Sequence, residues 1–384
     1  EKQQNTTALF ILTPKQHQIH GEAPQKLEFI KAHVKNLCQR LEKLNVQSIV
    51  KVVPVFDNIP SVFQLLLNEL PIESVSFNDH YWVNELKRDG AVIKLLKNHE
   101  IKVHRYHSHY LLPPGSVRKN NGDMYHVFTP YKNKFIEALK QHYQTPLSVP
   151  KPCDDGLQLN VKSDEYGCHF KLKQWPIGEQ QVTELLKSFL QNNDYQQERN
   201  YPAIDGTSGL SPYLAIGVIT ARQCLAHALK QQGDQAFYST WVSELIWRDF
   251  YNDLMFEYPK LAKHKTFKPG AKDEWLHQPD LFQKWQQGQT GFPLVDAGMR
   301  QLLKEGWMHN RVRMIVASFL SKLCLIDWRL GEAHFMVQLL DGDLASNNGG
   351  WQWSSATGCD AAPYFRIFNP STQSKKIDPD GIYI

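Results

Sequence analysis

The segment Trp241–Tyr251 reads WVSELIWRDFY and holds the first side chains whose spacing suggests chemistry. On a helix, Trp241, Glu244, Trp247, Arg248 and Tyr251 fall on or near one face. A core face is normally aliphatic, whereas this one sets a carboxylate and a guanidinium among aromatic rings. Buried charge is costly unless paired, so the face is expected to line a polar cavity. A second constellation runs from Gly306-Trp307-Met308-His309-Asn310-Arg311 through Arg313-Met314 to Asp341–Trp353, DGDLASNNGGWQW. Its adjacent Asp, Asn and Gly residues disfavour regular helix. Asp341 and Asp343 repel each other unless cations or ligand donors lie near, and Arg311 and Arg313 are the candidates. A divalent metal on Asp-x-Asp is the alternative, but no further carboxylate or histidine set completes a site, so no metal is expected. A third segment, Thr207-Ser208-Gly209-Leu210-Ser211, offers hydroxyls beside a glycine. That suits a phosphate cradle, and it suits an ordinary helix N-terminus equally.

Other chemistries lose weight by the absence of their signatures. The sequence has no G-x-G-x-x-G, no Walker-type lysine loop and no Gly-x-Ser-x-Gly elbow, which disfavours dehydrogenase, kinase and hydrolase readings. Cys38, Cys153, Cys168, Cys224, Cys324 and Cys359 form no Cys-x-x-Cys pair and no zinc spacing. Scattered single thiols fit a reduced, cytoplasmic compartment. No apolar run is long enough to span a membrane, and Ala8–Leu12 is too short for a signal peptide. The formal net charge of +4 permits a polyanionic partner. Ten tryptophans are many for one chain, and several sit beside polar residues in the C-terminal half.

Three regions must position these residues. Residues 1–107 alternate short apolar runs with helical patterns: strands at Ala8–Leu12, Ser48–Val55, Ser74–Phe77 and Lys102–His107, with amphipathic stretches at Lys26–Leu44 and Val62–Leu70. This is the βαβ rhythm of a parallel sheet covered by helices. Residues 108–175 read as an irregular, proline-punctuated connection with one helix at Lys132–His142. Between residues 101 and 150 there are seven Lys/Arg and two Asp/Glu, which reads first as a solvated basic face. Residues 176–384 carry 3.6-period segments at Glu179–Gln191, Thr220–Gln231, Ser239–Phe256, Val295–Glu305, Met308–Leu325 and Gly331–Leu340, and are expected to be all-helical.

From about Ala8 to its end the chain resembles the photolyase/cryptochrome family, in order and without large gaps. The motifs that carry the resemblance are Phe128-Thr129-Pro130-Tyr131-Lys132, Trp247-Arg248-Asp249-Phe250, Thr290-Gly291-Phe292-Pro293, Asp341–Trp353 and Asp360-Ala361-Ala362-Pro363-Tyr364-Phe365-Arg366. The Trp-Met-His-Asn-Arg run at 307–311 is most similar to class I pyrimidine dimer photolyases. The resemblance implies an α/β antenna domain followed by an all-helical FAD- and DNA-binding domain. It implies light-driven electron transfer from reduced FAD to a flipped cyclobutane pyrimidine dimer, in double- or single-stranded DNA, by a cytoplasmic monomer.

Carried onto matching positions, it places Tyr195, Thr207, Ser208, Gly209, Leu210 and Ser211 around the flavin diphosphate. Glu244, Arg313, Asp341, Gly342, Asp343 and Asn347 would surround the isoalloxazine ring and ribityl chain. Glu244, Trp247, Asn310, Met314 and Trp353 would line the lesion pocket. Arg199, Arg311 and Gln373 would approach the DNA backbone. Trp351, Trp328 and Trp275 match an electron relay, and with Glu244 and Asn347 they form the expected catalytic set. His20, Asn84, Glu85 and Lys263 match a binding pattern for a 5,10-methenyltetrahydrofolate antenna. Two departures matter: the family's opening strand, with its Trp-Phe-Arg…Asp-Leu-Arg motif, is absent, and the family continues beyond Ile384. The sequence is therefore expected to be clipped at both ends, which would break the ladder of the N-terminal sheet. Two rivals stand beside the repair enzyme: a cryptochrome-type light-signalling flavoprotein, and a helical DNA-binding domain without catalysis.

Overall fold

The computed structural model describes residues 6–152, 159–191, 194–271, 274–363 and 365–384. Cys153 and Tyr364, named above, lie outside them. Four short parallel strands occupy the N-terminal region: β1 (Thr7–Leu12), β2 (Gln47–Val52), β3 (Ser74–Asn78) and β4 (Lys102–Tyr106). The described strands form two separate parallel pairs. β1 pairs with β2, Thr7 opposite Gln47, and β3 pairs with β4, Ser74 opposite Lys102. The crossovers are α1 (Pro14–Ile19) and α2 (Pro24–Lys43), then α3 (Ile59–Glu69), then α4 (Val83–Asn98).

A lone two-stranded pair is marginal in water. Here one apolar layer joins the two pairs: Ile11 of β1, Val75 of β3 and Val103 of β4 all pack with Ile59, Val92 and Leu96. The buried face of α4 is Glu85, Asp89, Val92 and Leu96. Half of that stripe is carboxylate, which hides the helical period from a hydrophobicity reading.

The connection that follows is irregular but anchored. Asp249 Oδ1 accepts the backbone N–H groups of Leu111 and Leu112 at 2.9 and 3.3 Å. Asp253 accepts the Tyr131 hydroxyl at 2.8 Å and the Gly115 N–H at 3.3 Å. Burial pushes Asp249 up to about 8, against Arg248 and the two backbone N–H groups that favour its charged form. α5 (Phe128–His142) starts four residues before the expected Lys132, because Pro130 falls in the first turn, where the missing N–H breaks no helical bond.

The rest is helical: α6 (Glu179–Gln191), α7 (Tyr195–Glu198), α8 (Ser211–Ile216), α9 (Ala221–Gln232), α10 (Thr240–Glu257), α11 (Pro279–Gln286), α12 (Pro293–Glu305), α13 (Asn310–Ser318), α14 (Trp328–Met336), α15 (Leu344–Ser354) and α16 (Pro370–Ile377). The expected helix Met308–Leu325 is α13 alone, continued by a wide π turn at Phe319–Leu323. The larger correction is α15, because DGDLASNNGGWQW was read as unfavourable to helix. Asp343 caps it by accepting the Ser346 N–H at 2.8 Å. Its glycine admits a close neighbour: a Cβ on Gly349 would overlap the ring of Tyr251 on α10. Gly331 of α14 is likewise pressed against the Trp351 ring. Capping and close packing outweigh weak intrinsic propensity. Among the described residues no helix is long and apolar enough to cross a membrane.

Candidate functional site

A cavity of about 540 Å³ lies in the helical half, lined by α8, α10, α13, α15 and the loops before α8 and α15. That volume is typical of a cofactor or ligand site. One wall is the α10 face read from the sequence, since Trp241, Glu244, Trp247, Arg248 and Tyr251 all line it. Within that wall, Trp247 stacks on Phe128 with ring centroids 3.6 Å apart and planes 9° from parallel. The Arg199 guanidinium donates to Glu244 Oε1 at 2.7 Å. Arg248 serves the fold instead, donating to the carbonyl oxygens of His109 and Leu214 at 2.9 and 3.2 Å.

Thr207, Ser208, Gly209, Leu210 and Ser211 line the cavity as a group, with Tyr195 beside them. Gly209 has φ of +59°, a left-handed conformation that only glycine adopts without strain. Trp307 Nε1 donates to Ser211 Oγ at 3.2 Å. Ser346, Asn347, Gly350, Trp351 and Trp353 of α15 close the site opposite. Asn347 donates its Nδ2 to the Glu332 carbonyl at 3.0 Å.

The two aspartates resolve their repulsion separately. Arg313 donates to Asp341 Oδ2 at 2.8 Å, while Asp343 faces the N-terminus of α15. Arg311, the other candidate cation, binds Asn200 Oδ1 instead at 2.9 and 2.6 Å. Among the described residues that line the cavity, two keep a buried polar atom without a partner: Asp341 Oδ1 and His309 Nε2. His309 Nδ1 accepts the Arg311 N–H at 3.2 Å. Burial, with Arg313 and Arg311 adding to it, pushes His309 down to about 4. His309 is therefore neutral with its proton on Nε2, so the site combines an unpaired acceptor with an unpaired donor.

Asn310, Met314 and Arg199 also line the cavity. Gly342 and Gln373 do not. The Gly342 carbonyl is turned to the N-terminal half, where the buried Lys26 Nζ donates to it at 2.7 Å. Gln373 sits on α16, outside the walls. Of the three relay candidates only Trp351 reaches the cavity. Trp328 is fully buried, and Trp275 packs partly buried against the same apolar cluster. The ring neighbours of Trp351 are Phe335 and Trp285, at 5.0 and 6.0 Å. Sequence reading passed over Trp285, and it named Trp307, His309 and Ser346 within the second constellation without giving them a role. Helical spacing through 346/347, 350/351 and 353/354 would have shown the α15 wall had that stretch been read as helix.

In the N-terminal half, Asn84 and His20 hydrogen-bond through Nδ2 and Nε2 at 3.1 Å. Glu85 is 7% exposed, and burial raises its pKa. Lys263 lies exposed on the turn Pro259–Lys263 after α10. Trp82, just before α4, donates to Asn252 of α10 at 3.2 Å, which brings the two regions together.

Comparison with known proteins agrees with this geometry. Residues 1–151 match the family model described as DNA photolyase, and residues 241–384 match the FAD binding domain of DNA photolyase. A deoxyribodipyrimidine photo-lyase of Escherichia coli is 41% identical over 98% of this chain and 81% of its own length. Among solved structures, a class III photolyase from Agrobacterium tumefaciens superposes with a TM-score of 0.83 at 29% identity, covering 100% of this chain and 86% of that one. A Sulfolobus tokodaii photolyase with two FAD molecules has a TM-score of 0.79 at 28% identity, covering 98% and 82%. A Synechocystis cryptochrome has a TM-score of 0.78 at 27% identity, covering 98% and 81%. By its sequence relatives and by both family matches, the chain belongs to the DNA photolyase family.

Proposed function

We infer that this chain is a light-driven, FAD-dependent enzyme that splits cyclobutane pyrimidine dimers in DNA. One observation carries the reading: a single cavity brings together a hydroxyl-rich loop, an Arg–Asp pair and an aromatic wall bearing a carboxylate. The hydroxyls and Tyr195 would hold the diphosphate. Arg313, Asp341, Asp343 and Asn347 would hold the ring and ribityl chain. A bound reduced flavin supplies, on absorbing light, the electron that opens the cyclobutane ring and later takes it back.

The residues of the chain do the rest. Flipping the damaged pair out of the duplex costs a few kcal/mol, less at a distorted lesion. Trp247 and Trp353 offer faces for it, and their own rings are braced by Phe128 and Phe368. Glu244, fixed by Arg199, and Asn310 present hydrogen-bonding groups to the pyrimidine edges, and Met314 fills the apolar side. Arg199 and Arg311 grip phosphates, so binding weakens as salt rises. A cryptochrome-type signalling protein shares the fold and the flavin but leaves dimers intact. The test is therefore loss of thymine dimers from irradiated DNA under blue light. Purified protein reconstituted with FAD is expected to clear them. Flavin absorption without clearance returns the signalling reading, and protein that takes up no flavin returns the plain DNA-binding one.

A methenyltetrahydrofolate antenna against Asn84, Glu85, His20 and Lys263 completes the proposal. Glu85→Ala is expected to abolish the near-ultraviolet folate band and leave the flavin bands unchanged. A preparation whose second chromophore is another flavin overturns the folate assignment.

A further inference from the structure

Behind the α15 wall runs a chain of polar contacts that reaches the surface. Glu332 of α14 is 1% exposed. Its Oε1 accepts the Asn348 amide at 2.9 Å, and its Oε2 lies 2.8 Å from His264 Nδ1. Asn348 Oδ1 accepts from Gln352, whose own Oε1 accepts the Phe267 N–H, both at 2.8 Å. The turn at 264–267 is thereby sewn to the outer face of α15. On the inner face, Asn347 donates Nδ2 to the Glu332 backbone carbonyl. A carbonyl only accepts, so the amide orientation is settled by that bond, and Asn347 keeps its Oδ1 as the acceptor for the cavity.

His264 is the outer end of this chain. Its side chain is 51% exposed, and its backbone is left-handed at φ of +55°. We propose that His264 and Glu332 are positioning residues for the flavin site: protonated His264 neutralises the buried carboxylate behind Asn347 and so sets how readily bound flavin is reduced. This rests on the flavin assignment above. Adding electrons to a ligand near an unpaired buried carboxylate is opposed by like charge, and a cation on the carboxylate relieves that opposition. By reciprocity, reduction of the ligand tightens the proton on His264 by the same factor. The Glu332 hydrogen bond raises the pKa of His264, while burial and Arg329 oppose it. The charged groups that act on the imidazole are Glu332 and Arg329 of α14, and Lys263 and Lys265 flank it in the sequence. α15 presents only the neutral Asn348 and Gln352 there.

The test has two independent readouts on FAD-loaded protein. Imidazole NMR gives the titration of His264, and an electrode with mediators gives the flavin midpoint potential across pH. In the parent, the potential is expected to inflect at the pH where His264 titrates by NMR. In His264→Asn it is expected to lie lower on the acid side, to lack the inflection, and to meet the parent on the alkaline side. Asparagine tolerates the left-handed backbone and carries no charge. In Glu332→Gln the proton affinity of His264 is expected to fall about tenfold, one pKa unit, and the inflection to move to lower pH with it. Should Glu332→Gln fail to fold, the exposed His264→Asn carries the test alone. A His264→Asn protein that holds flavin and follows the parent potential throughout overturns this proposal. A parent that binds no flavin overturns the cofactor assignment instead.

Discussion

Trp351→Phe is expected to stop photoreduction of oxidised flavin while leaving the flavin bound. Trp351 is the only relay candidate that lines the cavity. Behind it lies an apolar core holding the fully buried Trp328, with Trp275 at its partly exposed edge. Losing the indole at the cavity wall removes the first station, so the steady-state rate under blue light should drop at least about tenfold, a barrier rise of about 1.4 kcal/mol. Repair started from chemically reduced flavin should continue. The substitution leaves a gap, because Gly331 is fitted against the indole. A stability loss is expected that stays below the roughly 3–5 kcal/mol of cutting a buried aromatic side chain back to Ala. Photoreduction at the parental rate in a flavin-loaded variant would remove Trp351 from the relay. Trp285, in ring contact with Trp351, would then be the next residue to substitute.

Trp247→Ala should cost the protein its ability to distinguish damaged from undamaged DNA. One face of the indole stacks on Phe128 at 3.6 Å, Tyr251 lies 5.5 Å away, and the ring forms part of the cavity wall. Stacking of a base on such a ring is worth about 1–3 kcal/mol, so the preference for dimer-containing DNA should fall roughly 5- to 150-fold. Binding to undamaged duplex should barely change, because it depends on phosphate contacts. The comparison is competition binding of the two DNAs, with flavin content checked in each preparation. Undiminished discrimination by a flavin-loaded variant would place the lesion pocket elsewhere.

The parts of the molecule legible in the sequence were those in which one physical pattern dominates. The α10 face was readable because charged and aromatic residues recur at helical spacing through 241, 244, 247, 248 and 251. The four strands were readable as short apolar runs. α4 was not, because Glu85 and Asp89 interrupt its buried stripe. α15 was misread because its residues are poor helix formers in isolation, and only the Asp343 cap and the contacts of Gly349 with Tyr251 make the helix favourable. The direction of a side chain or carbonyl was beyond reach altogether. Arg248 lies on the cavity face yet turns its guanidinium to His109 and Leu214, and Gly342 sits between two cavity aspartates yet offers its carbonyl to Lys26. Pairing between strands was equally hidden, since it depends on which edges meet in space.

That last contact ties two distant parts of the chain into one thermodynamic unit. Lys26 belongs to the helix that covers the N-terminal strands, and its ammonium ends on the peptide between Asp341 and Asp343, each of which walls the cavity. A ligand that favours this arrangement of the loop also favours the docked state of the N-terminal helix, by mass action on the folded form alone. Occupancy of the cavity and resistance of the first hundred residues to opening then become two readings of one equilibrium. The marginal strand pairs draw part of their persistence from whatever fills a site that none of their own residues touches.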